Sequence, residues 1–198
     1  MPRDGRVVRR RLEEAALELF AERGYERTTT AEIAARAGVT ERTYFRHFPD
    51  KREVLFAGEQ ELRDVTVEAL AAVPADVEPL PALRQAFHRV VPLLERNRAL
   101  AELRAPIIQA APALREREYA KAAALVDLVG SILEQRGATA YTALLAARVG
   151  MDALRVALRG WFADGGDLDA AVDEAFDRLR TLAGELPSRD AARGSPDG

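Results

Sequence analysis

Apolar residues recur at three- and four-residue intervals along almost the whole chain, and no segment alternates apolar and polar positions as a half-buried strand does. The pattern predicts an all-α protein. Val8, Leu12, Ala15, Ala16, Leu19 and Phe20 form the stripe of a first helix that stops at Gly24, where a left-handed cap is easiest without a β-carbon. A second, short helix is expected to open at Thr29 and Thr30, whose hydroxyls can accept from free amides, and to reach Ala37 with Ile33 and Ala34 turned inward. Gly38 and Val39 turn the chain, Thr40 caps a third helix extending to about Phe48, and Pro49 with Asp50 breaks it. A fourth helix is expected from Lys51 to about Ala72.

The Pro-rich segment 73–79 reads as a connection. Further helices are expected at about 81–95, 98–110, 113–136, 139–163 and 168–186, separated by Pro112, Gly137 and the Gly165–Asp167 break, with Pro106 marking a kink or an end. The result is about nine helices in three regions. Residues 1–50 hold a basic arm and a three-helix unit, 51–186 a larger helical domain, and 187–198 a tail whose Ser, Arg, Asp, Gly and Pro content reads as disordered.

A chain of 198 residues can bury a core without covalent staples, and this one has no cysteine. That excludes a disulfide framework, a zinc–thiolate site, an iron–sulfur cluster and a cysteine nucleophile, and it suits a reducing compartment. No run reaches the roughly 18–20 apolar residues of a membrane span, and the start of the chain lacks an apolar signal core, so the expected location is cytoplasmic. The net charge of −3 conceals a division, because residues 1–58 carry +2 and the rest carries −5. Within the first eleven residues Arg3, Arg6, Arg9, Arg10 and Arg11 face only Asp4. Such an arm either lies along phosphates, releasing counterions on binding, or is a solvated leader.

Around Thr30 the inward or close-approach positions are Ile33, Ala34, Ala37, Gly38, Val39 and Tyr44, the pattern two short helices need when they cross tightly. At 100° per residue Tyr44 and Phe48 share one side of the third helix, while Arg42 and Arg46 point nearly opposite, flanked by Phe45. One side is core and the other is free to enter a major groove.

The stretch TTTAEIAARAGVTERTYFRHFPDK at 28–51, framed by ALELFAERGY at 16–25, resembles the DNA-binding signature of the TetR family. The resemblance covers about Arg9 to Phe56. It implies that Thr30, Thr43, Arg46, His47 and Lys51 contact phosphates, and that Glu41, Arg42 and Phe45 face bases. The residue types are compatible with those roles. Thr30 and Lys51 read as helix N-termini, which favour anions, Arg42 has the fork that matches a guanine O6/N7 edge, and Glu41 can accept from a cytosine N4. The family usually has Tyr at position 45, so Phe45 has no hydroxyl to donate and would pack against a thymine methyl or a sugar. His47 has a second reading as a surface residue that supports the turn.

The last helix carries a sustained apolar stripe, and the helix before it is apolar over a wide arc. The resemblance implies that these two pair with their copies in a homodimer, with Leu144, Leu158, Trp161, Val172, Phe176 and Leu179 as candidate interface residues; alternatively both stripes pack inside one protomer. It also implies a ligand pocket in the middle helices, for which Phe87, His88, Val91, Arg104, Ile107, Ile108 and Tyr119 are candidates that equally fit an ordinary core and rim. The Trp161–Gly166 run resembles actinobacterial members, some of which answer to acyl-coenzyme A-like or lipophilic ligands. The expected partners are therefore a double-stranded DNA operator, a second copy of the chain and a small lipophilic or acyl-type effector, without a membrane. The two histidines are far apart, and neither a Gly-x-Ser-x-Gly nor a Gly-x-Gly-x-x-Gly motif occurs, so no catalytic site, cofactor or metal is expected. The reading is a ligand-responsive repressor that binds a palindromic operator as a homodimer. Its alternatives are an activator or ligand-independent DNA-binding regulator and, from a different class, a helical interaction module.

Overall fold

The computed structural model describes residues 2–185, with side chains from residue 5 onward, so the tail at 187–198 lies outside the described residues. All regular structure among these residues is helical: α1 Pro2–Arg23, α2 Thr30–Arg36, α3 Glu41–His47, α4 Glu59–Ala71, α5 Pro79–Arg96, α6 Arg98–Ala110, α7 Pro112–Gln135, α8 Ala140–Asp164 and α9 Leu168–Gly184. None is long and apolar enough to cross a membrane.

Two elements differ from the sequence reading. The arginine-rich segment is not an extended arm: helix α1 begins at Pro2, and opposite charges four residues apart, Arg9 with Glu13 and Arg10 with Glu14, support helical backbone there. The fourth helix does not begin at Lys51. Residues 53–56 form a 3-10 turn in which Val54, Leu55 and Phe56 are all buried, a run of inward side chains that one face of an α-helix does not provide. Asp50 caps that turn, its Oδ1 accepting from the amides of Arg52 at 2.8 Å and Glu53 at 3.1 Å. Regular α-helix resumes at Glu59.

The chain forms two compact units, one of residues 1–64 with 96–125 and the other of residues 65–95 with those from 126 onward. Unit 1 therefore takes in α6 as well as α1–α3. Ile107 and Ile108 of α6, with Ala111 and Leu114, are buried in the same cluster as Leu12, Ala16, Phe20, Ile33, Tyr44 and Phe48. Both isoleucines, read as pocket candidates, are instead core of the N-terminal unit. Arg104, on the same helix, donates from Nη1 to the Leu55 carbonyl at 3.2 Å, and burial holds its pKa below the usual value against the opposing pull of Glu118 and Glu13. Tyr119 stands 64 % exposed.

In unit 2, α8 packs along α9, and Phe87 and Val91 are buried, the Phe87 ring lying 6.0 Å from that of Phe176. A β-carbon at Gly150 of α8 would stand 2.6 Å from Leu83 Cδ1, so α5 and α8 approach closely at a residue without a side chain. His88 does not face a pocket: its ring bridges Asp169 at 2.6 Å and Asp173 at 2.8 Å, and Asp173 also takes Arg84 at 2.7 Å. Arg136 donates to the carbonyls of Leu70, Val73 and Pro74 and so ties down the α4–α5 connection. Of the interface candidates, Trp161 of α8 and Val172 and Phe176 of α9 are buried by packing within this unit. Leu158 and Leu179 are half-buried and Leu144 is exposed.

Glu13 is the one strongly perturbed carboxylate of the described α1 residues: burial pushes its pKa from the ordinary 4.5 up to about 7, against Arg9, Arg10 and Arg104. Between those values the folded chain binds more protons than the unfolded one, so stability falls as pH rises through that window and the loss is complete above it. Glu13→Gln is expected to raise the unfolding free energy at pH 8 by up to about 3 kcal/mol, with the gain disappearing near pH 4.5. Urea unfolding at the two pH values checks this, and an equal difference at both contradicts it.

Candidate nucleic-acid interface

Helix α2 is started by Thr29, whose hydroxyl accepts from the Glu32 amide at 3.2 Å while the Glu32 carboxylate accepts from the Thr29 amide at 2.8 Å. Buried Ala34 lets the following helix cross closely, and the Val39 amide returns to its carbonyl at 2.9 Å. Gly38 turns the chain with φ +69°, a left-handed value that other residues adopt at a cost, and a β-carbon there would stand 2.7 Å from an Arg11 nitrogen. Thr40 then caps α3 by accepting from the Thr43 amide at 3.2 Å.

Helix α3 has seven residues, too few to hold its shape unaided. Tyr44 and Phe48 anchor it, almost entirely buried with ring centroids 5.6 Å apart, and the Tyr44 hydroxyl donates to the Asp50 carbonyl at 3.2 Å. Two cations complete the frame. Arg9 of α1 donates to the carbonyls of His47 and Ala57, each at 3.0 Å, with its guanidinium 4.4 Å from the Phe48 centroid. Lys51 donates from Nζ to the carbonyls of Tyr25 at 2.9 Å, Thr28 at 3.1 Å and Glu26 at 3.5 Å, and sits 4.1 Å over the Tyr25 ring. Buried Thr28 closes the same turn by donating to the Gly24 carbonyl at 3.0 Å.

Two residues read as phosphate contacts thus have other surroundings. Lys51 is not at a helix N-terminus, and its ammonium is engaged by backbone carbonyls of the α1–α2 connection. The Nε2 of His47 is buried and has no hydrogen-bond partner among the described residues; burial, then Arg46 and Arg9, lower its pKa and favour the neutral ring. Arg9 belongs to the segment expected to be a basic arm, and nothing in the sequence marks Thr28 as a site residue. Each acts through a backbone carbonyl, which no side-chain motif announces.

Glu41, Arg42, Phe45 and Arg46 are exposed on α3, and Phe45 remains 50 % accessible although its ring meets Tyr44 edge-on at 5.6 Å. Thr30 and Thr43 are half-buried beside them: Thr30 Oγ1 donates to Glu41 Oε1 at 2.5 Å, and the Thr43 and Thr40 hydroxyls stand 3.1 Å apart. The distribution of ion pairs is uneven. On α1 and α2, Arg10, Arg23 and Arg36 are paired with Glu14, Glu32, and Glu18 with Glu22. Among the described residues neither Arg42 nor Arg46 meets a carboxylate, so α3 presents unneutralised cations beside an exposed aromatic ring.

Residues 12–57, the span that builds this arrangement, match the family model described as bacterial regulatory proteins, tetR family. Over these residues the chain is similar to the DNA-binding segment of TetR-family regulators. The chain is 41 % identical over 86 residues, 43 % of its length, to the HTH-type transcriptional regulator TcmR of Streptomyces glaucescens, and 32 % identical over 107 residues, 50 % of its length, to AcrR of Shigella flexneri. These alignments span 38 % and 49 % of those relatives, about half of their length or less. The crystal structure of the TetR-family repressor FadR of Thermus thermophilus, in complex with lauroyl-CoA, covers 96 % of this chain and 100 % of that one at 27 % identity, with a TM-score of 0.54. The matched span includes α3, whose Arg42 and Arg46 meet no carboxylate among the described residues.

Because Lys51 ties the α1–α2 connection to the segment after α3, Lys51→Ala is expected to lower the stability of the chain by about 1–3 kcal/mol, whereas Arg42→Ala leaves it within about 0.5 kcal/mol. Parallel urea titrations compare the two; a Lys51 variant as stable as the wild type contradicts the bracing role.

Proposed function

We propose that this chain is a transcriptional regulator of the TetR family that binds double-stranded DNA, and that it acts as a repressor, gripping a palindromic operator as a homodimer. The observation that carries the reading is the outer side of α3: Arg42 and Arg46 exposed without carboxylate partners, with Phe45 between them, on a helix whose opposite side is buried through Tyr44 and Phe48. Such a helix fits a major groove, where arginine matches a guanine edge and cations displace condensed counterions.

One seven-residue helix reads only a few base pairs, so a second copy supplies the other half-site. Support for the dimer comes from the part of α8 that the fold leaves uncovered. Tyr141, Leu144, Leu145 and Val156 are exposed there, as is Leu182 of α9, more apolar surface than isolated surface residues would give. The effector is proposed to be a small acyl-type or otherwise lipophilic molecule, on the likeness to the lauroyl-CoA-bound FadR. By linkage, an effector that binds better to a form with poorly spaced reading heads lowers operator affinity.

Selection from a genomic fragment library at two salt concentrations tests this. The wild type is expected to enrich a palindrome with steeply salt-dependent affinity, Arg42→Ala to lose at least about 10-fold, and Leu144→Asp with Leu145→Asp to sediment as a monomer and release the operator. Absence of any enrichment contradicts DNA recognition, and a monomeric wild type contradicts the dimer. Titrating lauroyl-CoA into the protein–operator complex tests the effector; retention at saturation removes that ligand class.

A further inference from the structure

The acidic residue at the head of α3 is at odds with a surface meant for a polyanion. Glu41 is exposed, next to the free Arg42, and its partner is not a cation but the hydroxyl of Thr30, from α2, at 2.5 Å. That bond occupies Oε1 and fixes the carboxylate at the crossing of the two helices, while Oε2 has no bond to any described residue. A carboxylate brought into a DNA groove gains nothing from the phosphates; it is repelled by them and loses its water. Only a donor on a base edge compensates. In the major groove the donors are the exocyclic amino groups, cytosine N4 and adenine N6, whereas guanine and thymine present acceptor atoms there.

We propose that Glu41 is a specificity-determining residue that requires cytosine or adenine on the DNA strand facing it in each half-site and rejects guanine and thymine, with Thr30 as the residue that positions it. This rests on the DNA-binding reading above and deepens it. Oε1 keeps the Thr30 hydroxyl while Oε2 accepts from the base amino group, so the contact forms without rearranging the pair. With an acceptor opposite, the carboxylate is left desolvated and unpaired, and discrimination comes from that penalty more than from added affinity. Arg42, one residue on, has the complementary preference for guanine, so an acid and a base side by side read opposite base edges.

The test uses the full chain and the selected operator, with every base pair of one half-site and its symmetry mate replaced in turn, and with random-sequence DNA as competitor. Wild type is expected to lose about 10-fold or more at one position when cytosine or adenine is replaced by guanine or thymine; separate cytosine and adenine arms show which amino group is read. Glu41→Ala and Glu41→Gln are expected to bind random DNA several-fold more tightly and to reduce discrimination at that position to under about 3-fold, leaving the other positions unchanged. Thr30→Val is expected to lose part of the discrimination and Thr30→Ser to restore it, with helix content by circular dichroism equal to wild type throughout. If Glu41→Ala leaves the position profile as it was, or weakens every site equally, the inference is overturned while DNA recognition stands. Folded protein that retains no DNA at all overturns both.

Discussion

What α3 presents outward depends on how firmly its other side is buried, because a helix of two turns does not survive alone. Tyr44 and Phe48 supply the apolar part, about 1.5–3 kcal/mol for each well-buried side chain. Ala34 and Gly38 allow the close approach that their burial requires. The remaining constraint is polar. Arg9 and Lys51 collect the carbonyls that a short helix and two tight connections leave over, and each carries its charge against an aromatic ring rather than into solvent.

The cations around the three N-terminal helices include three kinds. Arg10, Arg23 and Arg36 of α1 and α2 are neutralised by glutamates, Arg9 and Lys51 serve the backbone, and Arg42 with Arg46 on the outer side of α3 remain unspent. Unpaired surface arginines add little to folding, so their arrangement makes physical sense through a polyanionic partner. Glu41 fits the same logic as a filter: a chain selecting only for tight binding to DNA would not place an acid there.

Much of this was legible in the spacing of apolar residues. The nine helices appear within a few positions of where the periodicity puts them, apart from the start of α1 and the false start at Lys51, and the inward–outward split of α3 follows directly from 100° per residue. A stripe, however, says that a helix is buried without saying against what. Val172 and Phe176 of the α9 stripe are buried inside their own protomer, while Leu182 at its end and Tyr141, Leu144 and Leu145 on α8 stay uncovered. The same ambiguity placed Ile107 and Ile108 in a pocket when they close the core of the N-terminal unit. Lys51 and Arg9 were misjudged or missed because their partners are carbonyls 26 and 38 residues away in the chain, and backbone acceptors carry no residue signature.

Whether α3 reads bases is decided by protection of guanine N7 from dimethyl sulfate, which reacts in the major groove, on the selected operator bound by wild type and by Arg42→Ala. One guanine in each half-site, related by the operator's two-fold axis, is expected to be protected by wild type and exposed in the variant while the flanking footprint persists at raised protein concentration. Identical protection by both proteins, or a footprint confined to the minor groove, would contradict the assignment of α3 as the base-reading element.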